Sequence, residues 1–113
     1  MNTKFRNADT DFLFDAILQL RDRDECYRFF EDLCTVQELK ALSQRIAVAK
    51  MLDNKCVYTD IEARTGASTA TISRVNRSLM YGCDAYRMVF DRLCGKKDEA
   101  CAGIWHFPSS TTA

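Results

Sequence analysis

Four glycines and one proline in 113 residues leave this chain without the turn punctuation that the many strands of a sandwich or barrel need between them. Helical periodicity runs through most of the sequence instead, and no segment keeps strict apolar/polar alternation. The expected fold class is therefore all-α. Leu13, Ala16, Ile17 and Leu20 stripe a first helix over about residues 10–21. Cys26, Phe29, Phe30 and Leu33 stripe a second over about 23–34, opened by the capping-box spacing of Asp22 and Glu25. Thr35-Val36-Gln37-Glu38 is the clearest helix start in the chain, because the threonine hydroxyl can accept a first-turn amide while Glu38 reaches back. Leu39, Leu42, Ile46 and Ala49 make the stripe of this third helix. Val48, Met51 and Leu52 are apolar as well, which predicts that its far half is covered on more than one side.

Thr59-Asp60-Ile61-Glu62 reads as another capping box, opening a short helix that runs to about Arg64. A break at Thr65-Gly66-Ala67 follows, Ser68 is the next N-cap, and a fifth helix spans about 69–80. A last amphipathic helix, about 84–94, carries Tyr86, Val89, Phe90 and Leu93. Residues 1–8 read as a flexible arm, 9–94 as one domain, and 95–113, including Trp105, His106 and Phe107, as an aperiodic, disordered tail.

Sixteen basic residues balance sixteen acidic ones, which argues against a protein that coats polyanions or membrane surfaces through bulk charge. The balance hides a gradient. Residues 1–34 hold five Lys/Arg against eight Asp/Glu, whereas residues 35–81 hold seven against four. Between Ala63 and Cys83 there is no acidic residue, while Arg64, Arg74 and Arg77 are all present, so an anion-binding face is expected there. The amino end lacks the apolar core and small-residue cleavage site of an export signal, and no apolar run approaches the roughly 18 residues of a membrane span, so a cytoplasmic location without membrane attachment is expected.

The six cysteines include no C-x-x-C pair and His106 is the single histidine, so neither a metal site nor a cofactor is expected. Cys26, Cys34 and Cys94 fall in phase with apolar neighbours and should act as small buried hydrophobes, with the others as free thiols. Catalysis is not expected. A Ser-His-Asp or Cys-His mechanism would have to recruit His106 from the tail, and Gly66, Gly82, Gly95 and Gly103 form no phosphate-cradling loop.

The two short helices around Gly66 have the makings of a helix-turn-helix over about 59–80. A left-handed residue at the bend lets two helices cross steeply, and Ile61, Ile72, Val75 and Leu79 have the spacing to clamp them. At 100° per residue, Ala70, Ser73, Arg74 and Arg77 share the side opposite that clamp. This small, basic face suits a major groove, where a methyl can meet a thymine methyl, hydroxyls can bond base edges, and arginines can reach guanine or phosphate. The helix N-terminus adds amide dipoles for phosphate. The plainer alternative is a helical hairpin whose outer face is only solvated.

Thr35-Val36-Gln37-Glu38-Leu39 through Leu42-Ser43-Gln44-Arg45, followed by Thr65-Gly66-Ala67-Ser68-Thr69-Ala70-Thr71-Ile72-Ser73-Arg74, resembles the Trp-repressor superfamily. The runs from Glu25 to Thr35 and from Tyr81 to Tyr86 are similar to its YerC/YecD-type branch, and the resemblance covers about residues 9–94. It implies six helices interlocked with a second copy, helices four and five forming the DNA-reading head. The DNA-binding set that follows is Ser68, Thr69, Ala70, Thr71, Ser73, Arg74 and Arg77, with base-edge contact implied for Thr69, Ala70 and Ser73. An effector pocket is implied at Thr35, Arg45, Arg74 and Ser78. The glycine that follows the second pocket arginine in the Trp repressor is Val75 here, whose isopropyl group takes the space an indole would need.

The expected function is a homodimeric, sequence-specific regulator of transcription that binds double-stranded DNA. Two alternatives remain open at the level of sequence. One is a protein-interaction adaptor working through the acidic N-terminal helices, and the other a repressor responsive to tryptophan or another small ligand.

Overall fold

In a computed structural model, which describes residues 6–96, six α-helices follow one another: α1 (Ala8–Ile17), α2 (Arg23–Leu33), α3 (Val36–Asp53), α4 (Tyr58–Thr65), α5 (Thr69–Tyr81) and α6 (Ala85–Lys96). The all-α class and the order of helices are those the sequence predicts. Residues 1–5 of the expected arm and 97–113 of the expected tail lie outside the described residues. No helix among the described residues is long and apolar enough to cross a membrane. The chain gathers into two compact units, Met1–Leu39 and Lys40–Ala113.

In the first unit α1 begins two residues before its stripe predicts, because the Asn7 side chain accepts the Thr10 amide at 2.8 Å and caps the helix. It also ends earlier than expected. The amides of Gln19 and Leu20 turn back to the carbonyls of Ala16 and Ile17, a tighter pitch that leaves the backbone free to extend at Asp22. Asp22 then accepts the Glu25 amide at 2.9 Å, while Glu25 reaches back to the Arg21 amide at 2.8 Å, so the predicted cap of α2 forms. The α3 box is fully reciprocal, with Thr35 accepting the Glu38 amide and Glu38 accepting that of Thr35. No residue of α1 or α2 is buried. Phe12 and Leu18 are each 76% exposed.

In the second unit the core gathers Val48, Ala49 and Met51 from α3, Ile61 from α4, Ala67 from the following turn, Ile72 and Val75 from α5, and Phe90 from α6. Five successive α3 residues, Ala47 to Met51, are buried, which is the covering on several sides expected of its far half. The stripe itself needs correcting. Leu42 and Ile46 remain exposed, and Lys50, polar but one turn beyond Ile46 on the same side, is buried with its ammonium 5.0 Å from the centre of the Phe90 ring. A lysine so placed exchanges hydration for the negative ring face and lies its methylenes along apolar surface. Tyr86 stacks on Phe90 and packs against the same cluster, while Val89 and Leu93 of the α6 stripe stay exposed.

The amides of Lys55 and Cys56 return to the carbonyls of Leu52 and Met51, with Lys55 left-handed at φ 67°. This double closure satisfies the last carbonyls of α3 and turns the chain into α4. It also carries Cys56 against the core. Of the cysteines expected to be buried, Cys26, Cys34 and Cys94 are only half-buried, since a helix stripe fixes the side on which a residue lies but not whether that side is covered. Cys101 lies outside the described residues.

Candidate nucleic-acid interface

The short helix α4 opens at Val57, which offers no side-chain cap, so Thr59 lies inside the helix and the capping box expected over 59–62 does not form. The other end is closed tightly. Gly66 adopts φ 74° and donates its amide to the Glu62 carbonyl at 2.9 Å. An L-residue in this left-handed region costs about 1–2 kcal/mol, and since no atom lies within 4 Å of where a Cβ would stand, that conformational cost is the whole reason for a glycine here.

Thr65 organises the same turn. Its hydroxyl donates to the Ile61 carbonyl at 2.7 Å and accepts the Ala67 amide at 3.1 Å, while its own carbonyl accepts from the Gln44 side-chain amide at 3.1 Å. Through Gln44 the long helix α3 holds the bend directly, a tie that the sequence did not single out.

Ser68 caps α5 as predicted, accepting the Thr71 amide at 3.1 Å and donating its hydroxyl to that of Thr71. α4 and α5 pack on each other. Ile61 and Ile72 are fully buried, Val75 nearly so and Leu79 half-buried, which is the predicted clamp. Ala70, Ser73, Arg74 and Arg77 opposite it, and Thr69 beside it at the helix start, are all exposed. Two of the nominated residues are occupied in holding the helix start, Ser68 as cap and the half-buried Thr71 as its partner.

The face is not purely basic. The Thr69 hydroxyl donates to Oε2 of Glu62 at 2.5 Å, so a carboxylate from α4 stands at the head of α5. Sequence reasoning missed this contact because it spans seven residues and a change of helix direction. The only local signal, the spacing from Thr59 to Glu62, pointed to a different partner.

Of the expected effector pocket, the structure brings Arg45 and Arg74 together. With Ala70, Thr71 and Val75 they line an open depression of about 250 Å³. Ser78 is not among its lining residues, and the Thr35 hydroxyl is engaged in capping α3. Val75 stands both in this wall and in the core cluster, so its side chain is held in place from behind.

Comparison with known proteins agrees with this geometry. Residues 8–94 match the family described as Trp repressor protein. The Bacillus subtilis protein YerC, itself uncharacterized, is 57% identical over 90 residues, which are 80% of this chain and 86% of YerC. The crystal structure of a TrpR-like protein from Eubacterium eligens superposes with a TM-score of 0.79 at 59% identity, covering 81% of this chain and 95% of that one. A Staphylococcus aureus structure provisionally named a Trp repressor gives 0.78 at 58% identity, covering 82% and 94%.

Proposed function

The chain belongs to the Trp repressor family, as a YerC-type member, and from that premise we propose that it is a homodimeric regulator of transcription that binds specific sites on double-stranded DNA. The observation that carries the reading is the exposed face Ala70, Ser73, Arg74 and Arg77 on α5, with exposed Thr69 at its start, set opposite a clamp of buried isoleucines and valine beside a left-handed glycine turn. Such a helix can enter a major groove from its N-terminal end. Thr69, Ala70 and Ser73 then meet base edges, and Arg74 and Arg77, further along, meet phosphates.

Phosphate contacts position a protein on DNA, and base contacts give it sequence preference. Arg77→Ala should therefore weaken binding to specific and scrambled duplexes alike and reduce the salt dependence of affinity by about one counterion. Ser73→Ala should change the preferred sequence instead. Fluorescence anisotropy on both duplexes at two salt concentrations tests the pair. Unchanged affinity of Arg77→Ala for both duplexes would remove DNA from this face.

Arg45 and Arg74 resemble a small-ligand clamp, but the wall of their open depression carries the Val75 side chain, fixed from behind by the core, which an indole would have to displace. Millimolar L-tryptophan should leave the melting temperature and DNA affinity unchanged. A ligand bound only to the native state must raise the melting point by mass action, so a dose-dependent rise would show that the depression opens and would make the two arginines indole-stacking residues.

A further inference from the structure

The geometry points to Glu62 as a specificity-determining residue of the DNA-reading head, one that acts with Thr69 to select a cytosine at the base pair facing the start of α5. This inference rests on the DNA-binding reading above and adds to it the base that is read and the residue that enforces the choice.

A threonine hydroxyl has one proton to donate and lone pairs to accept with, so an exposed threonine in a major groove rotates to suit either kind of base edge and discriminates poorly. Thr69 is not in that position, because its proton is engaged by Oε2 of Glu62. What Thr69 can still offer is its lone pairs. The carboxylate beside it has acceptors only. The pair therefore presents a continuous acceptor surface where α5 begins, between the exposed Thr69 and the half-buried Glu62.

In the major groove guanine shows two acceptors, thymine shows its O4 acceptor and methyl, and adenine sets its N6 donor beside the N7 acceptor. Cytosine presents its N4 amino donor with only C–H on its own ring beside it, so that an acceptor flanks the donor on one side, the paired guanine O6, where adenine N6 is flanked on both. An acceptor-only pair is repelled by guanine and thymine, half matched by adenine and matched by cytosine. Glu62 stands just before a stretch, Ala63 to Cys83, whose charged residues are all arginines, and its negative charge opposes phosphates, so it lowers affinity for DNA of any sequence while sharpening the choice among sequences.

Glu62→Gln keeps the size of the side chain but adds a donor and removes the charge, and Thr69→Val removes the hydroxyl at constant volume. The test is random-site selection with the full chain and with each variant, followed by anisotropy on four duplexes that differ only at the selected base pair. The full chain should favour cytosine there by about tenfold over guanine, the scale of one good base-edge contact. Glu62→Gln should lose that preference and bind scrambled DNA severalfold more tightly. Thr69→Val should lose the preference at the same base pair and leave the others intact. Retention of the cytosine preference by Glu62→Gln overturns the inference while leaving the DNA-binding reading standing, as does a Thr69→Val effect at a different base pair. Failure of the unaltered chain to select any duplex would overturn the DNA-binding reading itself and the inference with it. Melting temperatures of both variants confirm that the fold is retained. Should one variant unfold, the other decides alone.

Discussion

Ile72→Ala should lower the free energy of unfolding by about 2–5 kcal/mol, the range for truncating a fully enclosed isoleucine, and DNA binding should fall with it. Ile72 of α5 has no exposed surface, nor do Ile61 of α4 and Val48 of α3, and the three belong to one cluster. Removing the Ile72 side chain beyond Cβ leaves a void that faces all three helices at once. The transfer free energy is lost, and a further cost remains wherever the surrounding side chains cannot collapse to fill the space. The affected contact also helps to hold α5 against α4. Urea denaturation of Ile72→Ala beside Ser73→Ala makes the comparison, because Ser73 is the next residue on the same helix but exposed. The Ser73 change should stay within about 0.5 kcal/mol, as surface substitutions do. A loss below about 1 kcal/mol at Ile72 would mean that this cluster is not the core holding α5 in place.

The second large effect concerns assembly. Light scattering at low micromolar concentration should give twice the 12.9 kDa chain mass, and the melting temperature should rise with protein concentration, as mass action requires of a fold completed by association. The reason lies in the apolar surface left uncovered. Neither α1 nor α2 buries a single residue, although Phe12, Phe14, Leu18, Tyr27 and Leu33 lie in or beside them, and Leu42 and Ile46 of α3 and Met88, Val89 and Leu93 of α6 are exposed as well. A soluble monomer seldom leaves so much apolar surface in contact with water. A second copy interlocking through α1, α2, α3 and α6 would cover it. A two-fold dimer would also set two α5 helices about 34–36 Å apart, so that each reads a successive major groove on one side of a palindromic site. A folded monomer whose melting does not depend on concentration would overturn both the dimer and the half-site geometry.

The sequence by itself determined the helices and most of their punctuation, because the interactions that set them act within four residues. Asp22 with Glu25, Thr35 with Glu38, Ser68 with Thr71 and the left-handed Gly66 all do in the structure what their spacing predicts. The side of α5 that faces away from the clamp was equally legible, since 100° per residue is a property of the backbone. What only the tertiary structure decided is which of two chemically possible partners each side chain takes. Glu62 could have closed a box with Thr59, yet it accepts from Thr69 once the bend brings α5 across α4. Lys50 is buried because Phe90 of α6 comes to lie beneath its ammonium, whereas Leu42 and Ile46 stay exposed on the apolar stripe of the same helix. Arg45 and Arg74, 29 residues apart in sequence, line one depression only because α3 and α5 meet across Val75. A helical stripe fixes direction around an axis. Burial and pairing depend on the distance between axes, which is set by the packing of the whole core.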